Sequence, residues 1–205
     1  MNRTANRWII LSTILAVVGV ASARVVVLDH SPAPQLVNSS FEDPGEAADR
    51  AAGWGRWGHW FDREDGWIPV HTGHCLLGYH HWEIPDSKDS GVFQDIKNAV
   101  KGTEYTFGIY VNLDKTRDAR QDAISIELRL ESTVDGRQQT LASKLCKVAD
   151  LRPDQWERLT VTGAPVNDTL RVLVIVTPSP RDGTRSGALR FDDAFLESAN
   201  EHASR

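Results

Sequence analysis

Residues 105–113 alternate without a break: Tyr105, Phe107, Ile109, Val111 and Leu113 are apolar, while Thr106, Gly108, Tyr110 and Asn112 stand between them. A period of two is the strand period, because successive side chains of an extended chain point to opposite faces. A helix would need apolar positions three and four apart, so this segment is restricted to one half-buried strand. The same pattern returns at Ile124, Ile126, Leu128 and Leu130, alternating with Ser125, Glu127, Arg129 and Glu131. Further strands read at 75–79, 91–96, 141–148, 156–162, 170–177 and 189–196. Residues 170–176 (Leu-Arg-Val-Leu-Val-Ile-Val) are apolar on nearly both faces, as a central strand is. Turn signals separate the runs at Lys101-Gly102, Asp135-Gly136, Arg152-Pro153-Asp154 and Arg181-Asp182-Gly183. No stretch after residue 23 carries a helical period. Eight or nine antiparallel strands predict an all-β fold, a β-sandwich or jelly roll.

The N-terminus has a different character. Arg3 and Arg7 precede an apolar run from Trp8 to Val20, and Ala21-Ser22-Ala23 supplies small residues at a cleavage position. That order is the signature of a secretory signal peptide over 1–23, cut after Ala23. The run is shorter than the ~20 residues a bilayer span requires. The expectation is a secreted or periplasmic protein, with no membrane insertion after cleavage. A linker over 24–35, one domain over 36–197 and a polar tail over 198–205 complete the organisation. The chain of 205 residues carries 23 Lys and Arg against 28 Asp and Glu, a formal net charge of −5. This excess of acid argues against a nucleic-acid partner, which needs a basic stripe. It equally disfavours docking on an anionic membrane.

Export bears on Cys75 and Cys146, the only two cysteines. In an oxidising compartment such a pair can close a disulfide. Closing a loop of about 70 residues would contribute roughly 4 kcal/mol. Two separate buried thiols are the alternative, since free cysteine packs as a small hydrophobe. Sequence leaves the two open.

The local signals also fall in an informative order. Leu36-Val37-Asn38-Ser39-Ser40-Phe41-Glu42 is followed by Gly53-Trp54, then by His71-Thr72-Gly73-His74-Cys75-Leu76. Gly91-Val92-Phe93-Gln94-Asp95-Ile96 feeds Lys101-Gly102-Thr103-Glu104-Tyr105-Thr106-Phe107, and Trp156-Glu157-Arg158-Leu159-Thr160-Val161 precedes Leu189-Arg190-Phe191-Asp192-Asp193-Ala194-Phe195-Leu196. This series resembles the jelly-roll carbohydrate-binding modules of families 4, 9 and 22, within the galactose-binding-like superfamily. It covers residues 36–197.

The resemblance implies a structural calcium ion. Glu42 and Asp192 are the acids that would share it, with carbonyls from Ser40 and from the turn after Gly73, at His74. Calcium takes six to eight oxygens, carboxylate and carbonyl mixed, which suits that set. Both acids can instead be solvated strand-end groups, although an Asp pair within a good β run is disfavoured by propensity. The resemblance further implies a poly- or oligosaccharide ligand on a concave sheet face. Alternation puts Tyr110 and Asn112 on the non-core side of their strand, and Glu127 and Arg129 on that of the next. Tyr79, Trp82 and Gln94 would join them. Glu127 and Arg129 read equally as a solvated charge ladder.

Five of the seven Trp and five of the seven His fall within residues 54–82. Gly53-Trp54-Gly55-Arg56-Trp57-Gly58-His59-Trp60 has an aromatic every third residue, a spacing that reads as a loop. By resemblance Trp54 packs in the core; Trp57 and Trp60 either plug one end of the sandwich or form a binding platform. The length of 55–71 and the tract Tyr79-His80-His81-Trp82-Glu83 depart from the family pattern. His71, His74, His80 and His81 hold enough imidazole for a zinc or copper site, but in no closed motif spacing. No phosphate loop, nucleophile elbow or recognisable pair of catalytic carboxylates is present. The expectation is a non-catalytic binding domain; the alternative is an adhesion or assembly domain that binds protein through the same sandwich.

Overall fold

The computed structural model describes residues 33–58, 61–80, 88–180 and 187–199. The described residues form ten strands: β1 Gly55–Trp57, β2 Phe61–Asp65, β3 Cys75–His80, β4 Ser90–Ile96, β5 Tyr105–Leu113, β6 Ala123–Val134, β7 Arg137–Lys147, β8 Trp156–Gly163, β9 Leu170–Pro178 and β10 Ala188–Ser198. They form two five-stranded sheets, in the orders β1-β4-β9-β6-β7 and β2-β3-β10-β5-β8. Among the described residues, every pairing between these strands is antiparallel. The fold is a β-sandwich of the jelly-roll kind.

Alternation decides what lies between the sheets. Tyr105, Phe107, Ile109, Val111 and Leu113 of β5 point inward and are almost wholly buried. Ile126, Leu128 and Leu130 of β6 and Val172, Val174 and Val176 of β9 meet them from the other sheet. Each such side chain contributes about 1.5–3 kcal/mol by leaving water. β9 lies in the middle of its sheet, so its outward Leu173 and Ile175 are buried as well. Ile124 departs from the expected pattern. A register shift between Ala123 and Ser125 turns it out to solvent and buries Ser125 instead.

The Trp-rich segment is also not the loop its spacing suggests. β1 pairs with β4 and β2 pairs with β3, each as an edge strand of a different sheet. Glycine makes this packing feasible: the ring of Phe93 fills the space above Gly55, and the ring of Trp57 fills that above Gly91. Trp54 is buried against Phe41, ring centroids 5.3 Å apart. The two cysteines are free. Cys75 is buried on β3 of one sheet and Cys146 is half-buried on β7 of the other, so no disulfide joins them.

Candidate functional site

One cross-strand row runs the full width of the second sheet on its outer face. Asp62 of β2 faces Gly78 of β3, Gly78 faces Arg190 of β10, Arg190 faces Asn112 of β5, and Asn112 faces Trp156 of β8. Directly opposed residues on one face lie about 4.5–5.5 Å apart at Cβ, so these side chains are neighbours. Arg190 Nη1 donates to Asn112 Oδ1 at 2.8 Å, and Arg190 Nη2 donates to Asp114 Oδ2. Asp114 Oδ1 accepts from Thr116 N, Thr116 Oγ1 and Arg117 N. Burial opposes ionisation of Asp114. The hydrogen bonds and the Arg190 charge outweigh it, and hold its carboxyl below the usual carboxylate range.

The segment between β2 and β3, residues 66–74, lies against this face through two ring stacks. Trp67 stacks on His80, centroids 4.8 Å apart, and the Arg190 guanidinium sits 4.5 Å from the Trp67 ring centre. His71 stacks on Tyr110 at 3.9 Å and meets Trp156 edge-on at 5.4 Å. Trp67, His80, Glu64 and Arg117 help line an open cavity of about 370 Å³ at the β2 end. That is within the range of small-molecule sites. Toward the other end, Arg158 lies over Phe195 at 4.2 Å.

Three acids hold the same segment in place. Asp192 Oδ2 accepts from His71 N at 2.8 Å and Thr72 N at 3.1 Å. Asp193 Oδ2 faces His71 Nδ1, and its Oδ1 accepts from Thr72 Oγ1. Glu42 Oε1 accepts from His74 N at 2.9 Å and Cys75 N at 3.1 Å. A register shift between Asp192 and Phe195 in β10 makes this arrangement possible, with Asp193 at φ 46°. Gly73, at φ +64°, leaves the space in which the Glu42 carboxylate sits.

Asp192 is wholly buried, and burial pushes its carboxyl up to about 6, despite the main-chain donors of Thr72, His71 and Asp193. Glu42 goes the other way: its main-chain donors outweigh burial and lower its value. Two hard carboxylates thus converge on residues 71–75, a donor chemistry that suits a hard cation. Among the described residues no group of three or more His, Cys, Asp or Glu side chains forms a metal cluster. A cation here would therefore draw the rest of its shell from main-chain carbonyls and water.

Of the residues singled out in the sequence, Tyr110 and Asn112 share this face. Glu127 and Arg129 do not: β6 belongs to the other sheet, and their side chains face away from Tyr110. There Arg129 forms a double hydrogen bond to Glu127 and a longer one to Glu131, all within one strand. Tyr79 points inward and is buried against Phe61, centroids 5.1 Å apart, so it offers no ring to a ligand. Gln94 is likewise buried, tying Val37 and Gly53 to β4. Trp57 lies on the outer face of the first sheet beside Phe93. Trp60, Trp82 and His81 lie outside the described residues. His74 meets Glu42 through its main-chain N–H, and Ser40 sits in the turn before Glu42. Trp67, Trp156 and Arg190 are not among the residues the sequence points to, and His71 is there only as a candidate metal ligand; alternation within 156–162 and 189–196 gives the outward side of Trp156 and Arg190, but not their pairing with Asn112.

Rings and buried polar groups thus share one outer face of an antiparallel sandwich. A carbohydrate binding domain model (CBM_4_9) matches residues 33–182, and the chain belongs to that family. Similar solved structures include a family 61 carbohydrate-binding module in complex with β-1,4-galactotriose, at 15% identity and TM-score 0.54, covering 80% of this chain and 97% of that one. A xylan-binding domain from family 22 is similar at 16% identity and TM-score 0.51, covering 82% and 97%. A Stig cyclase from Fischerella sp. TAU reaches TM-score 0.56 at 14% identity, covering 80% and 96%. No curated protein matches the chain.

Proposed function

We propose that the chain binds a poly- or oligosaccharide on the outer face of the second sheet and performs no chemistry on it. The observation that carries this reading is the Tyr110–His71–Trp156 ring cluster beside the Arg190–Asn112 pair. Pyranose faces need flat apolar rings, and hydroxyls need fixed polar groups next to them. The acids of this face are engaged in holding structure: Asp114 secures Arg190 and the turn after β5, while Asp192 and Asp193 secure residues 71–72. Such engagement favours binding over hydrolysis, which needs two carboxylates placed across the scissile bond.

A structural calcium ion shared by Glu42 and Asp192, with carbonyls of Ser40 and His74, belongs to the same reading. It would offset the cost of burying Asp192 and lock residues 71–75. The 1–23 leader sends the protein out of the cytoplasm, cleaved after Ala23, which cell fractionation and N-terminal sequencing would check. Pull-down of the secreted protein on insoluble polysaccharides, galactan and xylan first, tests the function. Retention on at least one is expected. Failure on all, with capture of a defined protein partner instead, would favour the adhesion role.

A further inference from the structure

Three side-chain donors in the row are sealed from solvent and have no hydrogen-bond partner: Arg190 Nε, Asn112 Nδ2 and Trp156 Nε1. They belong to consecutive strands in direct register, β10, β5 and β8. Arg190 is 4% exposed and Asn112 is 0%. Buried polar groups nearly always find partners, so three orphans side by side identify a place where an acceptor belongs. The acceptors that Arg190 reaches are already in use: Asn112 Oδ1 takes Arg190 Nη1, and the Asp114 oxygens take Thr116, Arg117 and Arg190. Glu64 Oε1 faces His80 Nε2.

This distribution selects the chemistry of the guest. A hydroxyl that accepted from this row would still have its own proton to place among donors. A carboxylate has no proton to place, but it would be buried beside Asp114, the carboxylate with which Arg190 is already paired. A neutral carbonyl satisfies both conditions. Resting on the saccharide reading above, we infer that the row binds the acetyl carbonyl of an acetylated sugar. An ester suits it better than an amide, whose N–H would add a fourth donor. The rings that contact the ends of the row, Trp67 on Arg190 and His71 on Trp156, both come from residues 66–74. Trp67 and His71 therefore stand between the two ends of the row and a guest.

The test is calorimetric titration of the protein with oligosaccharides of a natively O-acetylated xylan and with the same material after alkaline deacetylation. Chitooligosaccharides and an oligouronate form two further arms. The acetylated xylan should bind about tenfold more tightly than its deacetylated form, since one to two good hydrogen bonds correspond to about three- to tenfold or more. Trp156→Phe, which removes only the indole N–H among polar groups, should shrink that ratio toward one, whatever it does to the affinity that both forms share. Tighter binding of chitooligosaccharides than of acetylated xylan would move the acetyl source from ester to amide. Equal affinity for acetylated and deacetylated xylan, or preference for the oligouronate, overturns the acetyl inference and leaves the saccharide reading standing. Absence of binding to every saccharide removes both.

Discussion

His71 lies face to face with Tyr110, ring centroids 3.9 Å apart and planes 19° from parallel. The two residues come from the β2–β3 connection and from β5, so one stack fixes a connecting segment to the sheet it crosses. Asp193 holds the same imidazole at Nδ1, and Asp192 holds the main chain beneath it. The polar end of the cluster and its aromatic surface are therefore one mechanical unit. Disturbing either should be felt in the other.

Calcium is the first place where this coupling can be measured. Calcium should raise Tm by roughly 5–10 °C at a hundredfold excess over Kd, with chelator reversing it. Asp192→Ala should abolish the response and lower Tm in chelator too, because His71 and Thr72 N–H groups lose their acceptor. A melting curve indifferent to calcium and chelator would rule the ion out.

Gly73 gives a second handle on the same end. At φ +64° a side chain is strained, and its Cβ would meet the Glu42 carboxylate. Gly73→Ala should cost about 1–3 kcal/mol in denaturant unfolding. It should also weaken calcium binding, since Glu42 must move. Wild-type stability together with wild-type calcium affinity would contradict the placement of Glu42.

The Asp114–Arg190 pair sets a pH dependence. Both side chains are 5% exposed. Removing one partner leaves the other charge buried, so Asp114→Ala should cost about 3–5 kcal/mol. The folded-state value of Asp114 is lowered, so its stabilising contribution is fully present above the ordinary carboxylate value of ~3.9 and is lost as pH falls through the folded value. Urea unfolding between pH 7 and pH 3 should show a steeper loss for the wild type than for Asp114→Asn. Identical slopes would mean that the carboxylate is not linked to folding.

Much of the sandwich was legible because β5 and β6 carry strong alternation over seven or more residues and β9 is a continuous apolar run. β1 and β2 were not, since they are short edge strands whose order depends on pairing with β4 and β3 and not on their own pattern. For the face, alternation separates inward from outward but does not say to which sheet a strand belongs. Tyr110 and Asn112 were found this way. Glu127 and Arg129 were grouped with them only because β6 follows β5 in sequence, whereas the chain crosses to the other sheet between them. Tyr79 failed for a related reason: its strand is buried on both faces, so burial there is uniform and gives no direction. Arg190, Trp156 and His71 become neighbours of Asn112 or Tyr110 only through long-range register and ring contact, which no local pattern records.

Titration of one bound oligosaccharide into Tyr110→Ala and Arg129→Ala decides which face binds. Tyr110 supports the ring cluster of the second sheet, and Arg129 lies on the outer face of the first. Losing an aromatic platform costs on the order of 1–3 kcal/mol, so Tyr110→Ala should bind about ten- to a hundredfold more weakly, measured below its own Tm. Arg129→Ala should bind as the wild type does. Full affinity in Tyr110→Ala, with loss in Arg129→Ala, would contradict the assignment of the site to the second sheet.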